Sequence, residues 1–214
     1  MKERVVILGG GPQAREVIDV FEQAAIYRIA GIVANEPPEG GALYGHPYLG
    51  ADAILPELLQ QGVDHAFVAI GNNRARLDLM EKLRGMGFKL PNAISPRSYV
   101  SPHASLGQGV VIMHGVVVGV SVDLGDGVIL NHRTAVAHDA RLERGAHIAA
   151  SIICGRTVIG EGTNVWPGST VGLGVKVGKW ATIGAGSLVM RDVEDGATVV
   201  GLPARKLKIV ESGE

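Results

Sequence analysis

An aliphatic residue returns at every sixth position across residues 100–189. Val100, Leu106, Ile112, Val118, Leu124, Leu130, Val136, Leu142 and Ile148 hold one register; after a one-residue slip it resumes with Ile153, Ile159, Val165, Val171, Val177, Ile183 and Val189. Helices repeat at about 3.6 residues and strands at 2, so neither alone gives a period of six. A chain that turns a corner every six residues does, because each aliphatic then points into a triangular interior, and three sides close one circuit. The phrases LGQG at 106, LGDG at 124, LERG at 142 and IGEG at 159 recur at close to that interval, with VGKW at 177. Glycine supplies backbone angles at such corners that a Cβ disfavours. A repeat of this kind cannot bury its face alone and must stack on its neighbours. The sequence therefore predicts a parallel β-helix of about five coils.

The rest of the chain must be a second unit. Residues 1–93 read as a small domain and 94–214 as the coils. Arg4 to Leu8 is an apolar run that ends in Gly9-Gly10-Gly11-Pro12, and an amphipathic segment follows with Ala14, Val17, Ile18 and Phe21 on one face. That is strand, glycine turn and helix, with Pro12 suited to the first turn. Tyr27 to Ala34 reads as a second strand, 37–45 as a Pro- and Gly-rich loop, Ile54 to Gln61 as a short helix, His65 to Ile70 as a third strand and Arg74 to Met86 as a helix. Strands alternating with helices imply a small Rossmann-like parallel sheet. Ligands of such sheets sit beyond the carboxyl ends of the strands, where Gly9, Gly10, Gly11, Pro12, Asn35, Glu36, Gly71 and Asn72 all fall. Open amides at a helix start favour a phosphate, although GGGPQA lacks the third glycine of GxGxxG and could merely tighten the turn. About 93 residues is half the usual doubly wound arrangement, which argues against a nicotinamide dehydrogenase.

Charge excludes several partners. With 20 basic and 21 acidic side chains and no run of Lys and Arg, neither nucleic acid nor membrane insertion is expected. The apolar start of MKERVVILGGG is five residues long and reads as a strand, not a leader. The single Cys154 excludes an intrachain disulfide framework and fits a reducing compartment, so a cytoplasmic protein is expected. The histidine spacing matches no zinc set, and no metal is expected. Among these histidines the pair His138-Asp139 stands out. An imidazole can remove a proton from an amine or hydroxyl, and a neighbouring carboxylate can hold its tautomer; either His138 or His147 could also be a plain corner residue. Asn131, after inward Leu130, could join a ladder of stacked amides or orient His138.

The closing GLPARK at 201–206, together with the hexapeptide repeats, resembles the left-handed β-helix acyltransferases. More narrowly, ILGGGPQAREVIDVF at 7–21, GHPYLG at 45–50, VAIGNNRAR at 68–76, NAISPRSYVSPHASLGQGVVI at 92–112, NHRTAVAHD at 131–139 and HIA at 147–149 resemble the sialic-acid O-acetyltransferase and bacillosamine-type nucleotide-aminosugar N-acetyltransferase family. The resemblance implies a left-handed coil and a homotrimer with acetyl-CoA lying between adjacent subunits. It implies His138 as general base, Asp139 tuning it, His147 near the thioester, and backbone amides at Gly155 and the pair Gly184–Ala185 holding the acetyl carbonyl and pantetheine. The N-terminal domain would grip the nucleotide of a sugar through the glycine turn and the loop after the second strand. One residue is missing between Ile148 and Ile159 against the family pattern. The expected reaction is N-acetylation of a nucleotide-linked amino sugar. The alternatives are O-acetylation of a sialic acid or other sugar hydroxyl, and a non-catalytic hexapeptide protein.

Overall fold

A computed structural model describes residues 2–207. The N-terminal unit is built in chain order from β1 (Arg4–Leu8), α1 (Pro12–Ala24), β2 (Arg28–Val33), the hairpin β3 (Ala42–Leu43) and β4 (His46–Gly50), α2 (Leu55–Gln60), β5 (His65–Val68) and α3 (Asn73–Met86). Its sheet runs β3-β4-β2-β1-β5, with β4, β2, β1 and β5 parallel and β3 antiparallel to β4. The stretch 37–45 is thus more than a loop. Tyr44 and Gly45 take left-handed φ angles of 50° and 81° and close a two-residue hairpin.

The coils begin at Ala93–Ile94 and consist of two-residue strands joined by corners. Each strand pairs with the one a full circuit later, as in Val118 with Val136 and Leu124 with Leu142. Three faces result, and the structure is a small parallel-sheet domain followed by a left-handed parallel β-helix. The face starting at Tyr99–Val100 has six strands, so there are six coils, not five. The five glycine phrases fall on the third side of the first five coils, and the last coil, carrying Ile183 and Val189, has none.

The second residue of each strand points inward: Ile112, Leu130, Ile148, Val165 and Ile183 are wholly buried. Two positions earlier sits a second buried layer of small residues. It is aliphatic in the early coils and hydroxylic in the later ones, where Thr157, Thr163 and Ser169 donate to the carbonyls of Gly172 (2.9 Å), Gly178 (2.6 Å) and Gly184 (2.9 Å). These bonds keep buried polar groups paired across successive coils.

Each face has its own partner. The face running through Val111, Ile129, His147 and Asn164 is covered by the N-terminal domain, which is why the outward residues Val111 and Ile129 are buried. Gly109, Gly127 and Gly145 have φ of 64°, 64° and 69°, and a Cβ on them would approach Met80 or Leu77 of α3 to 2.7–2.8 Å. The last glycine of LGQG, LGDG and LERG therefore serves the corner and lets the helix lie against it. In VGKW the same position is Trp180, whose ring underlies Arg74 at 4.1 Å. The second face leaves Tyr99, Val117 and Ile152 exposed, and the third carries Asp123, Arg141 and Lys176.

Candidate active site

At the corner that follows Ala135–Val136, His138 Nδ1 lies 2.7 Å from Asp139 Oδ2. Asp139 has a left-handed φ of 57°, a conformation that aspartate tolerates better than most side chains, and the adjacent carboxylate reaches back to the ring. A carboxylate only accepts, so in the neutral ring Nδ1 carries the proton and Nε2 is the acceptor. The next coil places Gly155 over that ring: a Cβ there would meet Cε1 and Nε2 of His138 at 2.7 Å. Any larger residue here would displace the ring. Arg156 N donates to the His138 carbonyl at 2.9 Å, which fixes the two corners together.

The missing residue does not disturb this stack. It falls in the corner between Ile148 and Ile152, where Ala150 takes φ 41° and Ser151 Oγ bonds the carbonyls of Ala149 and Trp166 at 2.8 and 2.9 Å. Pairing resumes with Val136 opposite Ile153 before Gly155 is reached. The slip is absorbed one corner before the candidate site.

The expected amide contacts divide differently from the sequence reading. Gly155 and Ala185 stand two residues past an inward aliphatic, and their N–H groups meet no backbone carbonyl among the described residues. Gly184 stands one residue past Ile183, and its N–H is taken by the Val199 carbonyl at 2.8 Å. The pair therefore offers one amide, that of Ala185. The physical reason is the ladder: the residue directly after each inward aliphatic donates to the following coil, as Ala137 does to Ile153 at 2.9 Å.

His147 lies on the covered face, away from His138. It is 8 % exposed, and its Nε2 is 3.1 Å from Asn131 Nδ2. Asn131 thus orients His147 and not His138. Burial first, and then the Arg76 charge, push the His147 pKa down to about 4. The ring is neutral and Nε2 accepts from the amide, while the buried Nδ1–H is turned to the Gly71 backbone in a contact weaker than a full hydrogen bond. Trp166 flanks it at 5.9 Å between ring centroids. Because the folded pKa lies below the ordinary histidine value of 6.5, the unfolded chain takes up this proton first on acidification. The stability that goes with the neutral ring is complete above pH 6.5 and is lost as pH falls towards 4. Thermal unfolding at pH 7.5 and 4.5 should show wild type losing on the order of 2 kcal/mol more than His147→Gln; equal losses would contradict the burial of a neutral ring.

In the N-terminal domain, Gly9, Gly10 and Asn35 line a pocket of ≈ 270 Å³ with Asp52, Ile70 and Leu79. Gly9 has φ 121° and a Cβ on it would meet the Ala69 carbonyl at 2.6 Å, so this glycine is required by the close approach of the chain after β5. Gly11 and Pro12 sit at the α1 start, open to solvent. Glu36, Gly71 and Asn72 lie outside that lining, and Asn72 Oδ1 caps α3 by accepting from Ala75 N at 3.0 Å. Two participants were not singled out from sequence. Asp52, paired with Lys82 at 2.8 Å, follows no motif. Arg76 continues the buried helical stripe of Asn73, Met80 and Leu83, a spacing that could have revealed it.

Comparison with known proteins gives a consistent picture. The family model for the PglD N-terminal domain matches residues 4–83, and that for bacterial transferase hexapeptide repeats matches residues 156–191. A histidine-to-alanine mutant of GDP-perosamine N-acetyl transferase from Caulobacter crescentus, in complex with CoA and GDP-perosamine, is 39 % identical, with a TM-score of 0.92 over 95 % of this chain and 96 % of that one. The acetyltransferase domain of PglB from Neisseria gonorrhoeae, in complex with acetyl coenzyme A, is 34 % identical, with a TM-score of 0.89 over 97 % and 100 %. The curated bifunctional protein GlmU of Oleidesulfovibrio alaskensis is 29 % identical over 189 residues; the match spans 82 % of this chain and 38 % of that protein's length.

Proposed function

The chain belongs to the nucleotide-aminosugar N-acetyltransferases that join a PglD-type domain to hexapeptide repeats, and from that membership we propose that it transfers the acetyl group of acetyl-CoA to the amino group of a nucleotide-linked amino sugar. The observation that carries the reading is the His138 ring, held by Asp139 on one side and packed under Gly155 on the other. His138 Nε2 takes the amine proton as the N–C bond forms and passes it to sulfur as the C–S bond breaks, so the coenzyme leaves as its thiol. The Gly155 N–H is a donor for the carbonyl oxygen as negative charge develops on it, and the Ala185 N–H is one for the pantetheine chain. His147 is assigned to the thioester end of the coenzyme. In the other domain, Gly9, Gly10 and Asn35 receive the nucleotide. Gly11 and Pro12 present the α1 start to its phosphates, while Glu36, Gly71 and Asn72 form the rim facing the sugar.

The working form in this reading is a cytoplasmic homotrimer with coenzyme between subunits. Its support is the second coil face, which leaves Tyr99, Val117 and Ile152 about half exposed, at 57 %, 47 % and 51 %, an apolar stripe that needs cover. Light scattering should return three times the 22.3 kDa chain mass; a monomer at micromolar concentration would defeat this arrangement. The decisive assay mixes protein, acetyl-CoA and a panel of UDP- and GDP-linked amino sugars, with free thiol and product mass as readouts. Amide formation on at least one is expected. Exclusive ester formation, or no thiol above background with any sugar, would overturn the reading.

A further inference from the structure

Arg76 is the largest of the wholly buried side chains, and it pairs with neutral acceptors throughout. Its Nε donates to the Gly127 carbonyl at 2.9 Å. One terminal nitrogen donates to the carbonyls of Ile70 and Gly71 at 3.0 and 3.3 Å, the other to the Gly145 carbonyl at 3.0 Å and Asn73 Oδ1 at 2.9 Å. All five N–H directions of the guanidinium are thereby used. Burial lowers its pKa to about 10, so the group stays cationic at neutral pH. Dehydrating a cation among neutral acceptors is costly. Simple docking of α3 does not require it, because Leu77 and Met80 already pack against the same glycine corners.

What the guanidinium does that an apolar side chain could not is join three separate things. It grips the Ile70–Gly71 turn that leaves β5 at the edge of the Gly9–Asn35 pocket. It grips two successive coil corners through Gly127 and Gly145. It also holds Asn73, whose Nδ2 bonds the Gly162 carbonyl and Asn164 Oδ1 at 2.9 and 3.1 Å on the next coil. Beside this network sits the Asn131–His147 pair, a more than nine-tenths buried histidine whose Nδ1–H is turned to the same Gly71 backbone that Arg76 holds.

We propose that Arg76 is a positioning residue of the transfer reaction: it clamps the Ile70–Gly71 turn of the nucleotide side to the coil face carrying Asn131 and His147, so that the sugar and that face are held in one fixed geometry. The proposal rests on the acetyltransferase reading above. Arg76 touches neither substrate; it acts through the turn and through His147.

Two variants separate its functions. Arg76→Lys keeps the charge but cannot reach all five acceptors, whereas Arg76→Gln removes the charge. In Arg76→Lys, kcat/KM for the nucleotide sugar should fall roughly 10²-fold through misplacement of the reacting groups, with acetyl-CoA affinity and assembly unchanged. NMR of the His147 imidazole should show titration as in wild type in Arg76→Lys and a clear upward move in Arg76→Gln. The double variant Arg76→Lys with His147→Ala should lose less than the product of the two single losses, because part of the Arg76 effect runs through His147. Wild-type kcat/KM in Arg76→Lys, multiplied losses in the double variant, or an unmoved His147 titration in Arg76→Gln would each overturn the proposal. Should Arg76→Gln fail to fold, the Arg76→Lys kinetics and the double variant decide it. Wild-type protein inactive on every sugar would instead defeat the acetyltransferase reading, which these variants do not test.

Discussion

His138→Ala lowers turnover by roughly 10²–10⁴-fold, the loss expected when a general base is removed, while acetyl-CoA affinity and the assembly persist. The ring is half exposed and contributes nothing to the core, so the effect belongs to chemistry and not to folding. Asp139→Asn lowers turnover less, because the side chain at 2.7 Å still meets Nδ1 but no longer favours the same tautomer. A pH profile of kcat/KM identifies the base. With His138 as base, the acidic limb should disappear or move in the alanine variant. Near-normal turnover with the original acidic limb in His138→Ala would show that the proton acceptor lies elsewhere.

Gly155→Ala has an effect of similar kind without touching a titrating group. The new methyl would lie 2.7 Å from Cε1 and Nε2 of His138, closer than side-chain atoms pack, so the imidazole must swing out of line. A displacement of this size at the reacting centre lowers kcat by roughly 10²-fold. The chain retains its Gly155 N–H, and the position does not have a left-handed φ, so stability changes little. Comparing kcat with the melting temperature checks this: a variant that melts early and is inactive in proportion would refute the steric account, as would one with unaltered kcat. The same substitution at Gly145, where a Cβ would press Leu77 at 2.7 Å and φ is 69°, is expected to act on stability instead.

Much of this was legible in the residues because the repeat is strict. A period of six leaves one architecture, and His138-Asp139 could be chosen because the two groups are neighbours in sequence. Gly155 was harder, since its place over His138 depends on which corner absorbs the missing residue, and that is settled by Ala150 and Ser151. Which amide of the Gly184–Ala185 pair is free follows from a rule the repeat contains: the residue directly after an inward aliphatic donates to the next coil. The partner of Asn131 was not legible. Outward residues on that face meet another domain, and no periodicity in the coils states what lies opposite. Arg76 belongs to the same class, for its acceptors come from residues 70, 71, 73, 127 and 145. The hairpin at Tyr44-Gly45 was hidden because a non-glycine residue holds one of its left-handed positions.

The last coil ends differently from all the others. Thr198–Gly201 joins the covered face in parallel, but Ala204–Lys206 folds back on it antiparallel, with Val199 opposite Lys206. A stack of identical coils would otherwise finish in a row of unpaired amides and carbonyls, which is a template for strands of any other chain. The reversal gives that rim a strand bearing Arg205 and Lys206 in place of another aliphatic rung. A charged reversed strand at the end of this face makes it a poor template for end-to-end stacking of a second molecule there.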